Sequence, residues 1–157
     1  MINNILPKGV ECIFMLQREQ LGLGHAVLCA ERAIGNDSFA ILFVDDFVTD
    51  NGLGVTNDLI KSFERSGKSQ ISVMEVCESD VSKYGIVKTT NVQHEVSGII
   101  EKPQTNGAPS NLACIGGYVV TSDIFKILKN QASGRGDEIQ LADALNTQAI
   151  EGNVQCR

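Results

Sequence analysis

Apolar positions along the chain follow two periods in alternation, one suited to strands and one to helices. Residues 12–16, "CIFML", are an unbroken apolar run that predicts a short buried strand. Two glycines follow in "LGLGH". Residues 25–34, "HAVLCAERAI", then carry a helical pattern that stops at Gly35, a residue suited to a left-handed cap. "FAILFV" at 39–44 has no polar residue, which predicts a strand covered on both faces in a parallel sheet. Residues 57–66 place Leu59, Ile60 and Phe63 on one helical face ahead of Gly67, and "QISVMEV" at 70–76 reads as the next strand.

Strand and helix in alternation predict an α/β domain with right-handed crossovers. After residue 80 the texture changes. "YGIVKTT", "HEVSGIIEKP" and "LACIGGYVVT" are shorter β segments divided by polar turns, as in a meander or mixed sheet joined to the first. Ser122 is placed to cap a helix through about Leu128, and "DEIQLADALNTQAI" at 137–150 supplies another, with Asp137 as its cap. "QTNGAPSN" at 104–111 is the linker-like stretch.

Composition narrows the function classes. A chain of 157 residues with 43% hydrophobic and 20% charged residues is long enough for one domain with a real core. Nineteen acids against 13 bases give a net charge of −6, which disfavours nucleic acid along an extended surface. Cys12, Cys29, Cys77, Cys114 and Cys156 include no Cys-x-x-Cys pair and read as reduced thiols of a cytoplasmic protein. No stretch approaches the roughly 18 apolar residues of a membrane span, and no secretion signal opens the chain.

The candidate chemistry lies at strand ends, where ligands collect in open α/β sheets. Gln17 and Gly22 follow the first apolar run, and Asp45 and Asp46 follow the second. A glutamine amide both donates and accepts, so Gln17 is suited to the edge of a nucleobase. A glycine without Cβ admits a flat ring or a phosphate against the main chain. A strand-end carboxylate suits Mg²⁺, which takes few protein oxygens and completes its shell with water or phosphate. Each feature also has an ordinary structural reading: Gly-x-Gly opens many helices, paired acids cap turns, and His25 reads as a helix-start residue. The full dinucleotide fingerprint is absent, with Val27 standing where its third glycine would be.

The order of motifs adds to this. "QREQLGLGHAVLCA", "FAILFVDD", "YGIV", "GIIEKP", "NLACIGGYVVTSDIF" and "GRGDEIQLADAL" occur in sequence. Together they closely resemble the bacterial UTP–glucose-1-phosphate uridylyltransferases of the sugar-nucleotidyltransferase family, from about Leu6 to Cys156. The resemblance implies a Rossmann-like mixed α/β sheet over 1–157, a single domain that is incomplete relative to the family. It implies transfer of UMP from UTP to glucose-1-phosphate, giving UDP-glucose and pyrophosphate, with Mg²⁺ as cofactor. By the same resemblance Gln17 and Gly22 hold uracil, Asp45 ligates the metal, and Tyr84 and Gly85 lie beside the hexose. Glu101 binds ring hydroxyls and Lys102 meets the sugar phosphate; Asp143 is given no catalytic role.

Several positions depart from that pattern. Val44 stands where the family usually has proline, and Cys114 where it usually has valine. No glycine-rich triphosphate loop and no second metal aspartate are found, so the chain reads as the middle of such an enzyme. Losing one preorganised donor typically costs roughly 100- to 1000-fold in rate; negligible activity of the chain alone is therefore expected. A homo-oligomer covering an exposed sheet surface is expected too. The alternatives are a non-catalytic nucleotide-sugar-binding or oligomerisation module, and a related transferase using dTTP or another hexose.

Overall fold

The structure, a computed structural model, describes residues 7–46, 48, 49, 52 and 54–157. In chain order the elements are α1 (Leu23–Cys29), α2 (Glu31–Ile34), β1 (Phe39–Leu42), α3 (Val55–Ser66), β2 (Ser69–Glu75), β3 (Gly85–Thr89), β4 (Val96–Glu101), β5 (Leu112–Val120), α4 (Asp123–Asn130), α5 (Leu141–Ile150) and β6 (Val154–Cys156). Single 3-10 turns occupy Glu78–Lys83, Thr105–Gly107 and Arg135–Asp137.

β5, nine residues long, organises the six-stranded sheet. β2 pairs antiparallel with it over both Ala113 and Val119, and so occupies one whole edge. The other edge is shared: β1 pairs with residues 117–120, and β3 begins at Ala113. β1 and β3 therefore lie end to end, with residues 114–116 of β5 left between them. β4 extends the sheet beyond β3, and β6 extends it beyond β2 as the parallel pair.

Successive strand residues face opposite sides, and β3 shows where each core lies. Val87 enters the main core with Val27, Ile124, Leu128 and Leu145 from α1, α4 and α5, while Ile86 joins a smaller cluster with Val81 and Ala113. Phe39 stacks on Phe125 with ring centroids 5.0 Å apart, fixing β1 against α4. α3 ends as its sequence predicts: Gly67 adopts the left-handed conformation and donates its N–H to the Phe63 carbonyl at 2.7 Å.

Six expectations change. Residues 12–16 form no strand and pair with none of the described strands; Phe14 and Leu16 are each 80% exposed. The apolar run at 39–44 is an antiparallel strand, and Ala40 and Leu42 face outward, so it is not covered on both sides. The helix at 25–34 breaks at Ala30 into α1 and α2, and Gly35 ends it at positive φ but outside the left-handed helical region. Asp137 does not cap α5, which starts four residues later after Gln140, and the Ser122 hydroxyl donates to the Asn36 carbonyl rather than capping α4. Ile60 lies on the exposed side of α3; Ser62 takes the buried position beside Leu59. Among the described residues no helix is long and apolar enough to cross a membrane.

Candidate functional site

The interval between β1 and β3 opens as a cleft of about 230 Å³. Phe43 and Asp46 enter it from the end of β1, and Tyr84 and Gly85 from the start of β3. The β3–β4 register pairs Gly85 with Glu101, so the Glu101 carboxylate reaches the place where a Gly85 Cβ would stand, 3.0 Å away. A larger residue there would push that carboxylate aside. Leu23 of α1 and Leu141 and Leu145 of α5 supply an apolar wall.

Cys114 and Tyr118 of β5 line the same cleft, with Phe43 edge-on to Tyr118 at 5.7 Å. Burial, reinforced by the nearby Glu101 carboxylate, pushes the Cys114 thiol up to about 12. Burial likewise pushes the Tyr118 phenol up, with smaller contributions from Cys114, Glu101 and Asp46. Both stay neutral at physiological pH, which makes the cleft uncharged on its β5 side.

The acid pair divides its labour. Asp46 accepts the Gly116 N–H through Oδ2, bridging the end of β1 to the unpaired part of β5. Gly116 has φ +73, and a Cβ there would fall 2.7 Å from Val48 Cγ2, so the turn tolerates little else. Opposite it, the Ser72 hydroxyl accepts the Gly117 N–H at 3.1 Å, closing the irregularity in β2. Asp45, one position earlier, is exposed. Among the described residues no three His, Cys, Asp or Glu groups cluster as a metal cage. A single exposed carboxylate nonetheless fits an ion that draws its remaining ligands from water and phosphate.

The glycine turn is held by main-chain bonds to the segment before α5. Gly24 donates to the Ile139 carbonyl at 2.8 Å, and Ile139 donates to the Leu21 carbonyl at 2.7 Å. Gly22 has φ +90, and a Cβ there would lie 2.7 Å from Glu138 Cβ. Gln17 donates through Nε2 to the Gly22 carbonyl at 3.0 Å and approaches His25 Nδ1 at 3.1 Å. With the amide nitrogen turned to the Gly22 carbonyl, its Oε1 remains as an acceptor.

Of the residues singled out from sequence, Tyr84, Gly85 and Glu101 line the cleft. Gln17, Gly22, Asp45 and Lys102 do not; Gly22, Asp45 and Lys102 each adjoin a residue that does, namely Leu23, Asp46 and Glu101. Lys102 has φ +43, its N–H donates to the Tyr84 carbonyl at 3.0 Å, and its ammonium lies 3.8 Å from Glu101. Sequence reasoning missed Lys83, which lines the cleft and holds Asp80 at 2.7 Å. It also missed the wall from Leu23, Gln140 and Leu145. Lys83 had one available signal, its place directly before Tyr84; the wall had none, since it depends on how α1 meets α5.

The six-stranded mixed sheet backed by helices matches the fold of solved UDP-glucose pyrophosphorylases. Residues 2–156 match the family described as nucleotidyl transferase, and the chain belongs to it. UTP–glucose-1-phosphate uridylyltransferase 2 of Staphylococcus saprophyticus is 44% identical over 135 residues, covering 84% of this chain and 46% of the relative. The structure of a UDP-glucose pyrophosphorylase complexed with UDP-glucose superposes with TM-score 0.84 at 36% identity, over 89% of this chain and 55% of that one. A UTP-bound UGPase from Acinetobacter baumannii does so with TM-score 0.85 at 36% identity, over 99% and 55%. The chain thus spans about half the length of the curated relatives it matches.

Proposed function

We propose that this chain supplies base- and hexose-facing walls of a site where UMP passes from UTP to glucose-1-phosphate, yielding UDP-glucose and pyrophosphate. The observation that carries the reading is the Gly85–Glu101 pairing beside Tyr84 in the cleft, in a chain of the nucleotidyltransferase family. A carboxylate facing a glycine backbone is suited to vicinal hydroxyls of a hexose, accepting from both. Gln17, its amide nitrogen turned to the Gly22 carbonyl, presents Oε1 to the N3–H of uracil. Lys102, next to Glu101, meets the sugar phosphate.

In the transfer, an oxygen of glucose-1-phosphate attacks the α-phosphorus of UTP while the bond from that phosphorus to the pyrophosphate oxygen breaks. Little covalent chemistry falls to the protein, so positioning and charge compensation dominate. Asp45 would hold Mg²⁺, which when bound offsets the negative charge of the phosphates. UTP, glucose-1-phosphate and UDP-glucose are the small-molecule partners of this reading. A second copy covering the exposed apolar residues around Phe14 belongs to it as well, and light scattering showing a monomer at high concentration would remove that part.

A second reading, nucleotide-sugar binding without turnover by this chain alone, is favoured by its cations. Among the described residues, both lysines at the cleft already face a carboxylate, Lys83 on Asp80 and Lys102 on Glu101. Titration calorimetry with UDP-glucose tests the common part: saturable binding is expected, weakened at least about tenfold in Glu101→Gln. Heats no different from dilution, with a folded chain, would refute both readings. A coupled pyrophosphate-release assay separates them, since ordinary enzymes turn over at about 1–1000 s⁻¹.

A further inference from the structure

A larger concavity lies at the other end of the sheet. A groove of about 560 Å³ opens between α4 and α5, where β5 ends and β2 and β6 begin. That volume is within the range of small-molecule sites, about 300–1000 Å³. Its floor is built. Gln148 is 2% exposed; its side-chain oxygen accepts from Ser69 Oγ at 3.0 Å and its amide donates to Thr121 Oγ1 at 3.1 Å.

One wall carries Gln131. Gln131 donates through Nε2 to the Gln140 carbonyl at 2.9 Å, and its Oε1 is buried with no partner among the described residues. Asn130, beside it, spends its amide on the Lys126 carbonyl at 2.7 Å, which turns its oxygen to the acceptor role.

Charge settles the ligand class. Two carboxylates, Asp123 and Glu151, line the groove against one ammonium, Lys126. A phosphate would meet net repulsion, whereas hydroxyls donate readily to carboxylates and side-chain amide oxygens. We propose that the groove between α4 and α5 is a second binding site, for an uncharged polyhydroxylated molecule of monosaccharide size. The groove and the cleft share no lining residue, and one hydrogen bond, from Gln131 to the Gln140 carbonyl, links them.

The test is an NMR titration of the ¹⁵N-labelled chain with myo-inositol, and in parallel with inorganic phosphate. Myo-inositol is expected to shift the amides of Gln131, Gln148 and Asn153 saturably, with a roughly millimolar dissociation constant. Glu151→Gln and Asn130→Ala, both at exposed positions, should each weaken that binding several-fold while the remaining spectrum stays dispersed. Lys126→Gln should leave it within about twofold, because no anion is being held. Shifts confined to Gly85 and Glu101 would overturn the proposal. So would phosphate binding in the groove as tightly as the polyol, or no saturable shift at either place.

Discussion

Replacing Gly24 by alanine sets two effects of opposite sign against each other. Gly24 lies within α1, where alanine is the better helix former by up to about 1 kcal/mol. Packing opposes it. A Cβ at Gly24 would stand 2.6 Å from the Ile139 carbonyl oxygen, 2.8 Å from Leu128 Cδ2 and 3.0 Å from Ile139 Cγ2. The leucine tip is able to turn aside, but the carbonyl is main chain and already accepts the Gly24 N–H at 2.8 Å. Relieving the overlap means moving the 138–139 segment away from α1, at about 1–3 kcal/mol for overpacking plus about 1 kcal/mol for the weakened hydrogen bond. Set against the helix gain, the net loss is about 1–3 kcal/mol, or a melting temperature lower by about 2–12 °C for a domain of this size. Scanning calorimetry reads this directly, and Leu23, carried on the same turn, should lose its place in the cleft along with it. A melting temperature equal to or above that of the parent would show that α1 is not pinned to the segment before α5.

Three further outcomes are expected. Gln17→Glu removes the amide donor to the Gly22 carbonyl and should weaken UDP-glucose binding at least about tenfold; unchanged calorimetric affinity would detach Gln17 from the base. The Glu95 carboxyl is held below its ordinary 4.5 first by the hydrogen bond from Lys68 and then by Thr90. Its stabilisation is therefore complete above that value and lost as pH falls through the lower folded value. Urea melts between about pH 6 and pH 3 should fall less steeply for Glu95→Gln, and identical slopes would refute the linkage. Finally, iodoacetamide at about pH 8 should modify exposed Cys12 and Cys77 while sparing Cys114, whose thiol burial has pushed up to about 12. Mass spectrometry showing Cys114 alkylated as fast as Cys77 would contradict the closed β5 wall.

Local patterns spoke clearly where they specify their own partners. α3 and its Gly67 stop, β2, and the three later strands were readable because periodicity and a turn residue act within a few positions. The run at 12–16 misled for the converse reason: hydrocarbon alone names no partner, and Phe14 and Leu16 found none among the described residues. An apolar strand is equally compatible with either direction, so the antiparallel docking of Phe39–Leu42 on β5 could not be read from letters. β6, three residues long, carries no period at all. Tyr84, Gly85 and Glu101, named from the sequence, line one cleft, and what joins them is the β3–β4 register, a property of pairing. The bond from the Gly116 N–H to Asp46 was not legible, because nothing in the sequence shows that Gly116 lacks a strand partner on that edge and takes a carboxylate instead.

β5 works as a ruler. It lays β1 and β3 along one side with four steps between Ala113 and Gly117, about 13 Å of extended chain. The acids after β1 and the tyrosine–glycine pair opening β3 keep their spacing only while that count holds. Two residues inserted there would keep every later side chain on its own face, while shifting the register with β2, and would lengthen the mouth between the two strand ends by roughly 7 Å. Among chains built this way, the size of molecule admitted is thus set by the length of the strand whose Cys114 and Tyr118 also line the cleft.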